Sequence, residues 1–407
     1  MDNFQTIIGY DNIKYELNRI IDHLNNKEKY DRIGAKMPDN VILCGDPGLG
    51  KTKTAKAFIE ALNRNKYIIN KNKANGEFLE YIKNTIKDAS NNTPAVVLFD
   101  DLDKYSNNDN HHANTDEFIL IQSLMDEYSD KDIYYIATAN DLFTLPKSLL
   151  RTKRLGLELE FESPSREDSK KIIKHYLENK KICSNVDYDL LSKMLDGKSC
   201  ADLENVINEA AINVAYDNRE LITMDDLVKA IIKEFYSSPK GFEPRTPNQR
   251  KALAFHEAGH VVIQEYLEPG SINFVSIGEY ECSIGGLTNV CTNVDYWTDI
   301  SYMENRVLSI FGGKAATEVI LNKKDVGVFS DMNRAKQIVK RFYEEYCIKG
   351  FLTTKEQEKE ICDMLNEYYS KAKEIILNNK ENVYKIANAL LDKKILLNNE
   401  IKEILNN

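Results

Sequence analysis

An apolar strand that runs straight into a glycine-rich turn constrains this chain more than any other feature. Val41-Ile42-Leu43-Cys44 is followed at once by Gly45-Asp46-Pro47-Gly48-Leu49-Gly50-Lys51-Thr52, which has the spacing GxxxxGK[ST]. Beyond it Ala55, Phe58, Ile59 and Leu62 fall on one helical face. In such a turn the glycines let backbone N–H groups curl around phosphate oxygens, and the helix N-terminus adds partial positive charge. Lys51 is placed to reach the β- and γ-phosphates of a nucleotide, and the Thr52 hydroxyl to ligate Mg²⁺. Composition gives about 0.01 chance matches in a chain of this length. The turn needs a buried strand before it and a helix after it, so the fold here is α/β.

The flanking pattern agrees. Val41 to Cys44, Tyr67 to Ile69, Ala95 to Phe99, Ile133 to Thr138 and Leu157 to Phe161 read as strands separated by helical periods. This alternation implies a largely parallel sheet covered by helices. Asp100 and Asp101 close the third of these runs. Asp100 is expected to hold Mg²⁺, and Asp101 to polarise the attacking water. Asn140, just beyond the fourth run, can orient that water or the γ-phosphate. Arg151 and Arg154 follow, as candidate fingers for a neighbouring subunit's nucleotide.

At 407 residues the chain is too long for one ordinary core. Residues 1–163 form the α/β domain of this reading. Residues 164–236 carry only helical periods, with stripes such as Ile172, Ile173, Tyr176 and Leu177. Residues 237–248 are rich in breakers and read as a linker. Residues 249–407 form a mainly helical domain, interrupted by a β-like insertion from Ser271 to Val290. Leu377, Ile386, Leu390 and Leu391 are its C-terminal core candidates. The Asn/His-rich segment 106–114 reads as an exposed loop.

A net charge of -10 argues against a non-specific nucleic-acid binder, whose affinity rests on phosphate contacts. No stretch approaches the run of about 20 apolar residues that a membrane helix needs, and the N-terminus has no signal-peptide pattern. The seven cysteines are scattered without a CxxC pair, which suits free thiols in a reducing compartment. The cytoplasm is the expected location.

His256-Glu257-Ala258-Gly259-His260 is HExxH inside the helical pattern Leu253 to Tyr266. The i, i+4 spacing puts both imidazoles on one helix face, where they can share one Zn²⁺. Glu257 then sits where it can take a proton from an attacking water and return it to the leaving amine. A catalytic zinc needs a third protein ligand and one open position. Glu318, Asp325 and Asp331 are downstream carboxylates, and spacing alone does not choose among them.

Taken together, these residues resemble the FtsH family of AAA+ metalloproteases along nearly the whole chain. Phe4 to Lys14 resembles the family's adenine-contacting segment, and Asp202 to Ala211 its lid helix. His175 matches a family position near the nucleotide. Gly312 to Glu318 and Ser330-Asp331-Met332 match segments of its protease domain. By this resemblance Asp331 is the third zinc ligand, and Glu318 supports the ligands from outside. The implied fold is an AAA+ α/β domain with helical lid, then a mainly helical zinc peptidase. The implied cofactors are ATP, Mg²⁺ and Zn²⁺. The implied assembly is a homo-oligomer, a hexameric ring that threads unfolded or tagged proteins into a chamber.

Four departures qualify this. Family members usually begin with membrane helices, whereas this chain starts at the ATPase, so no membrane insertion and soluble substrates are expected. The second acid after the third strand is usually Glu, and here it is Asp101. Ala74-Asn75-Gly76 replaces the family's aromatic substrate-gripping triplet, with Phe78 the nearby substitute. Leu155-Gly156 stands where the family has Phe-Asp. The leading expectation is an ATP-dependent zinc endopeptidase. The alternatives are a nucleotide-assembled zinc peptidase or a remodelling ring with weak hydrolysis.

Overall fold

The structure is a computed structural model that describes residues 4–36, 40–71, 75–105, 115–236, 246–278, 286–291, 299–323, 328–351 and 353–406. Segment 106–114, most of segment 237–248, Ala74, the side chains of Asn75 and Gly76, and Asp325 lie outside the described residues. The chain divides into two compact units, Met1–Ile182 with Leu195–Ala211, and Cys183–Met194 with Ile212–Asn407.

In chain order the first unit begins with α1 (Asp11–Asn25), α2 (Lys27–Asp31), β1 (Val41–Gly45), α3 (Lys51–Glu60) and β2 (Asn65–Ile69). It continues with α4 (Asn75–Asn91), β3 (Ala95–Phe99), α5 (Asp116–Glu127), β4 (Ile133–Ala139), β5 (Leu157–Phe161) and α6 (Arg166–Leu177). Then come α7 (Tyr188–Met194) and α9 (Met224–Tyr236), which belong to the second unit, and between them α8 (Cys200–Tyr216), which is divided between the units after Ala211. The sheet has five strands, all parallel, in the order β2-β3-β4-β1-β5. All five expected strands form. β2 starts at Asn65, earlier than expected, because an edge strand tolerates the exposed polar pair Asn65-Lys66.

Strand alternation explains the layering. Val41, Leu43, Val96, Leu98, Tyr134 and Ile136 are buried on one face, with α1 and α3. Ile42, Val97, Phe99, Tyr135 and Ala137 are buried on the other, with α4 and α5. The order β3-β4-β1 sets the C-terminal ends of three strands side by side. The phosphate loop after β1, the acids after β3 and Asn140 after β4 therefore share one edge of the sheet. Phe78 is fully buried and meets Tyr105 edge-on at 5.0 Å. It belongs to the α4 core stripe with Ile82 and Ile86, so it is not a substitute gripping residue.

The second unit is built on α10 (Pro247–Leu267), α11 (Ile300–Leu321), α12 (Phe329–Glu344), α13 (Thr354–Asn378), α14 (Lys380–Lys393) and α15 (Asn398–Asn406). Thr246 and Gln249 form a capping box with Pro247 in the first turn, which starts α10. A three-stranded antiparallel sheet, in the order β7-β6-β8, packs beside the helices. Its strands are β6 (Ile272–Ser276), β7 (Leu287–Val290) and β8 (Ile395–Leu397).

β8 interrupts a stretch that falls within the mainly helical region expected from sequence. Lys394 takes a left-handed conformation (φ 65°), ends α14 and turns Ile395 and Leu396 onto β6. Of the C-terminal core candidates, Ile386 and Leu390 are fully buried, but Leu377 and Leu391 are 53% and 38% exposed. The buried stripes run through Tyr368, Ala372 and Ile376 on α13, and through Val383, Ile386, Ala387 and Leu390 on α14. Leu377 and Leu391 each follow a stripe residue and point about 100° away from it. Among the described residues, no helix is long and apolar enough to cross a membrane. The six described cysteines are free thiols.

Candidate functional site

The first unit carries a cleft of about 630 Å³. Its floor is the phosphate loop. Gly45, Gly48 and Gly50 have φ of 130°, 80° and 93°, a region that disfavours any side chain. Gly45 is further confined, because a Cβ there would lie 2.1 Å from the Phe161 carbonyl oxygen. Leu49 is buried and pins the loop to the core, while Asp46, Pro47 and Gly48 are exposed. Lys51 is 6% exposed and donates to the loop's own carbonyls, Gly45 O at 2.6 Å and Asp46 O at 2.7 Å. Burial pulls its pKa down, against the opposing field of Asp103 and Asp101.

The acids after β3 are tied to the start of α3 and to β4. Asp100 Oδ1 accepts from Thr52 Oγ1 and from Thr138 Oγ1, each at 2.8 Å. The Thr138 hydroxyl in turn accepts from the Asp101 backbone N–H at 2.8 Å. Thr138 was not singled out by sequence, although a polar residue inside the apolar run of β4 is the signal that could have found it. Asp101 takes a left-handed conformation (φ 55°), and its carboxylate pairs with Lys104 at 2.7 Å. The Asn140 N–H donates to Asp103 Oδ2 at 3.1 Å.

Asn140 and His175 both line the cleft, as do Ile8, Tyr10 and Cys200. Arg151 and Arg154 do not line it. Arg151 is exposed. Arg154 is held inside its own chain, with two bonds to Asp126 at 2.6 and 3.1 Å, and bonds to Gln122 and the Ser148 carbonyl. Such a bidentate clamp occupies the donors that a finger reaching a neighbour would need.

The second unit brings His256, His260 and Asp331 together. His256 and His260 lie one turn apart on α10, and Asp331 reaches them from the first turn of α12. Nε2 of His256 and Nε2 of His260 are 3.0 Å apart, and Asp331 Oδ2 is 3.2 and 3.4 Å from them. These edges fit one face of a tetrahedron around Zn²⁺, whose ligand-to-ligand distance is about 3.3 Å. A set of two imidazoles and one carboxylate is the kind found at catalytic zinc. His260 Nδ1 lies 2.8 Å from the Ser309 carbonyl, which fixes the proton on Nδ1 and leaves Nε2 free to ligate. No side-chain pattern could have revealed this backbone contact.

The electrostatics favour a cation as well. Burial alone would pull His260 down, yet Asp331 and Glu257 hold it up at about 9. Burial likewise pushes Asp331 up, but His256 and His260 hold it well below the usual carboxylate range. The field that attracts a proton here also attracts a cation. Glu257 is 4% exposed beside this triad, and its Oε2 accepts from Thr288 Oγ1 at 2.8 Å. Glu318 is paired instead with Lys314, Lys373 and Tyr369, none of which is in the triad.

Glycines set the spacing around this site. A Cβ on Gly259 would lie 2.2 Å from the Gly312 carbonyl oxygen, so α10 and α11 touch backbone to backbone. A Cβ on Gly313 would lie 2.4 Å from the His256 ring, so this glycine seats the imidazole. Alanine at position 259 gains about 1 kcal/mol in helix propensity but forces the helices apart, an overpacking cost of about 1–3 kcal/mol. Gly259→Ala is expected to lower the unfolding temperature and weaken zinc retention together, measured by thermal melts and chelator competition.

Comparison with known proteins agrees with both centres. Residues 41–163 match the family described as ATPase family associated with various cellular activities (AAA). Residues 185–229 match the AAA+ lid domain, and residues 245–353 match peptidase family M41. The chain is 26% identical to ATP-dependent zinc metalloprotease FtsH 2 of Petrotoga mobilis, over 99% of this chain and 70% of the relative. It is 27% identical to ATP-dependent zinc metalloprotease FtsH of Caldicellulosiruptor bescii, over 99% of this chain and 72% of the relative. It is 26% identical to FtsH 2 of a Thermoanaerobacter species, over 98% of this chain and 82% of that relative. With ATPase, lid and peptidase segments in this order along one chain, the protein belongs to the FtsH family of AAA+ zinc metalloproteases.

Proposed function

We propose that this chain is an ATP-dependent zinc metalloendopeptidase that unfolds and degrades soluble proteins as a ring-shaped homo-oligomer. The observation that carries the reading is the donor triangle of His256, His260 and Asp331 beside a buried carboxylate, Glu257. Zn²⁺ fits that triangle and, when bound, supplies Lewis acidity. Glu257 takes a proton from the water that attacks the peptide carbonyl, and delivers it to the amine nitrogen as the C–N bond breaks. The Ser309 carbonyl keeps His260 in the ligating tautomer.

In the motor, Lys51 exchanges its loop carbonyls for the β- and γ-phosphates of ATP. Thr52 and Asp100 would hold Mg²⁺, Asp101 and Asn140 would orient the attacking water, and His175 would flank the nucleotide. Arg151, exposed and uncommitted to the cleft, is the better candidate for a finger into a neighbour than Arg154. We take the working boundaries as 1–163 for the ATPase, 164–236 for the lid, 237–248 for the linker and 249–407 for the peptidase. A hexamer, unfolded or tagged protein substrates and a cytoplasmic setting complete the proposal. The free cysteines suit that compartment.

A second reading is a peptidase assembled by nucleotide with little hydrolysis, and the Asp101–Lys104 pair favours it. Degradation of a labelled unfolded protein with Zn²⁺ and Mg²⁺ separates the two. Cleavage that requires hydrolysable ATP is the expected result. Equal cleavage with a non-hydrolysable analogue would replace the threading protease by the second reading.

A further inference from the structure

The β7 strand is built around the carboxylate of Glu257. Leu287 to Val290 pair antiparallel with β6, and Thr288 stands opposite Val275. Strand alternation sends Leu287 and Asn289 to one face, where Asn289 Oδ1 accepts from Asn273 Nδ2 at 2.8 Å. Thr288 and Val290 take the other face, and Val290 packs on the helical core. This register aims the Thr288 hydroxyl at α10, where it donates to Glu257 Oε2 at 2.8 Å. A slip of one residue would turn it away.

Gly286 completes the cradle. A Cβ at this position would lie 2.4 Å from Glu257 Oε1 and 2.6 Å from its Cγ. The missing side chain therefore makes room for the Glu257 carboxylate itself, which lies where a Cβ would stand. Thr288 is the only hydrogen-bond partner of the Glu257 side chain among the described residues. One oxygen is held by a hydroxyl, and the other lies against Gly286, where only a glycine admits it.

We infer that Thr288 is a positioning residue for the peptidase reaction, holding Glu257 by Oε2 so that the carboxylate stays in one orientation toward the attacking water. The inference rests on the peptidase reading above. A carboxylate on a flexible side chain has rotamers that point its oxygens elsewhere, and a hydrogen bond to a charged acceptor selects one of them. The hydroxyl bonds to Glu257 and to none of the metal ligands. Its loss changes how often the base is aligned, not how tightly metal or substrate is held.

The test uses the full chain with Thr288→Val and Thr288→Ser. Valine keeps the β-branched shape of a strand residue and removes the donor, while serine keeps the donor. A quenched-fluorescence peptide gives kcat and KM, a chromogenic chelator gives zinc affinity, and thermal melts report folding. Thr288→Val should lower kcat roughly ten-fold or more. KM, zinc affinity and unfolding temperature should stay near wild type, and Thr288→Ser should recover most of kcat. Full activity in Thr288→Val would overturn the inference. So would a kcat loss matched by loss of zinc or of folding, or an equal loss in both variants. A wild-type chain that holds zinc and cleaves no peptide would overturn the peptidase reading itself, and the role of Thr288 with it.

Discussion

Glu257→Gln is expected to slow peptide hydrolysis by about 10²–10⁴-fold while zinc stays bound, because it removes the base and leaves the ligands. Glutamine has the shape of glutamate, and its amide oxygen can still accept from Thr288, so the β7 contact survives. His256, His260 and Asp331 keep their mutual distances, since none of them bonds to Glu257. His260→Ala makes the contrast. It removes a vertex of the donor triangle, so zinc and activity should fall together. The measurement is kcat on a flexible peptide beside zinc content per chain for wild type and both variants. Hydrolysis in Glu257→Gln close to wild type would remove Glu257 from the chemistry and require another base.

Both centres were readable in sequence to the extent that their parts are local. The phosphate loop is one contiguous turn, and its glycine positions follow from backbone conformation alone. His256 and His260 share a helix, so their spacing reports their geometry directly. Asp331 is 75 residues from His256, and only the family resemblance singled it out from Glu318 and Asp325. Arg154 shows the same limit. Its clamp partners Asp126 and Gln122 lie 28 and 32 residues away on α5, and nothing beside Arg154 in sequence announces them.

Contacts made by ordinary residue types were the least legible. Thr138 and Thr288 are unremarkable strand residues until the sheet register points each at a carboxylate. The Ser309 carbonyl that sets the His260 tautomer belongs to the backbone, so its side chain carries no signal. β8 is a short apolar run, and runs of that length do not distinguish strand from helix. The two reactive carboxylates also differ in a way that residue type does not reveal. Glu257 is buried and held by a neutral hydroxyl, whereas Asp101 is partly exposed and held by the Lys104 cation.

Lys51→Ala is expected to abolish ATP-driven degradation while a flexible peptide is still cut, which would assign the two chemistries to separate centres. Lys51 is a buried ammonium whose partners are two carbonyls of its own loop. Neutral carbonyls compensate a buried charge only in part, which is why burial depresses its pKa. Phosphate oxygens supply the negative charge that the carbonyls lack. Losing two charge-assisted bonds of about 1.5–3 kcal/mol each lowers ATP affinity by roughly 10²-fold or more. Alanine leaves the glycine conformations of the loop untouched, and the Thr52–Asp100–Thr138 network keeps the ends of β1, β3 and β4 together. Titration with a fluorescent ATP analogue reads the affinity, and two substrates read the consequence. A stably folded protein should survive, because its cleavage needs work from ATP. A flexible peptide should be cut far less impaired, because the donor triangle and Glu257 contain no group from the phosphate loop. Equal loss on both substrates would mean that the nucleotide is needed to build the peptidase site itself, and would shift weight to the nucleotide-assembled peptidase.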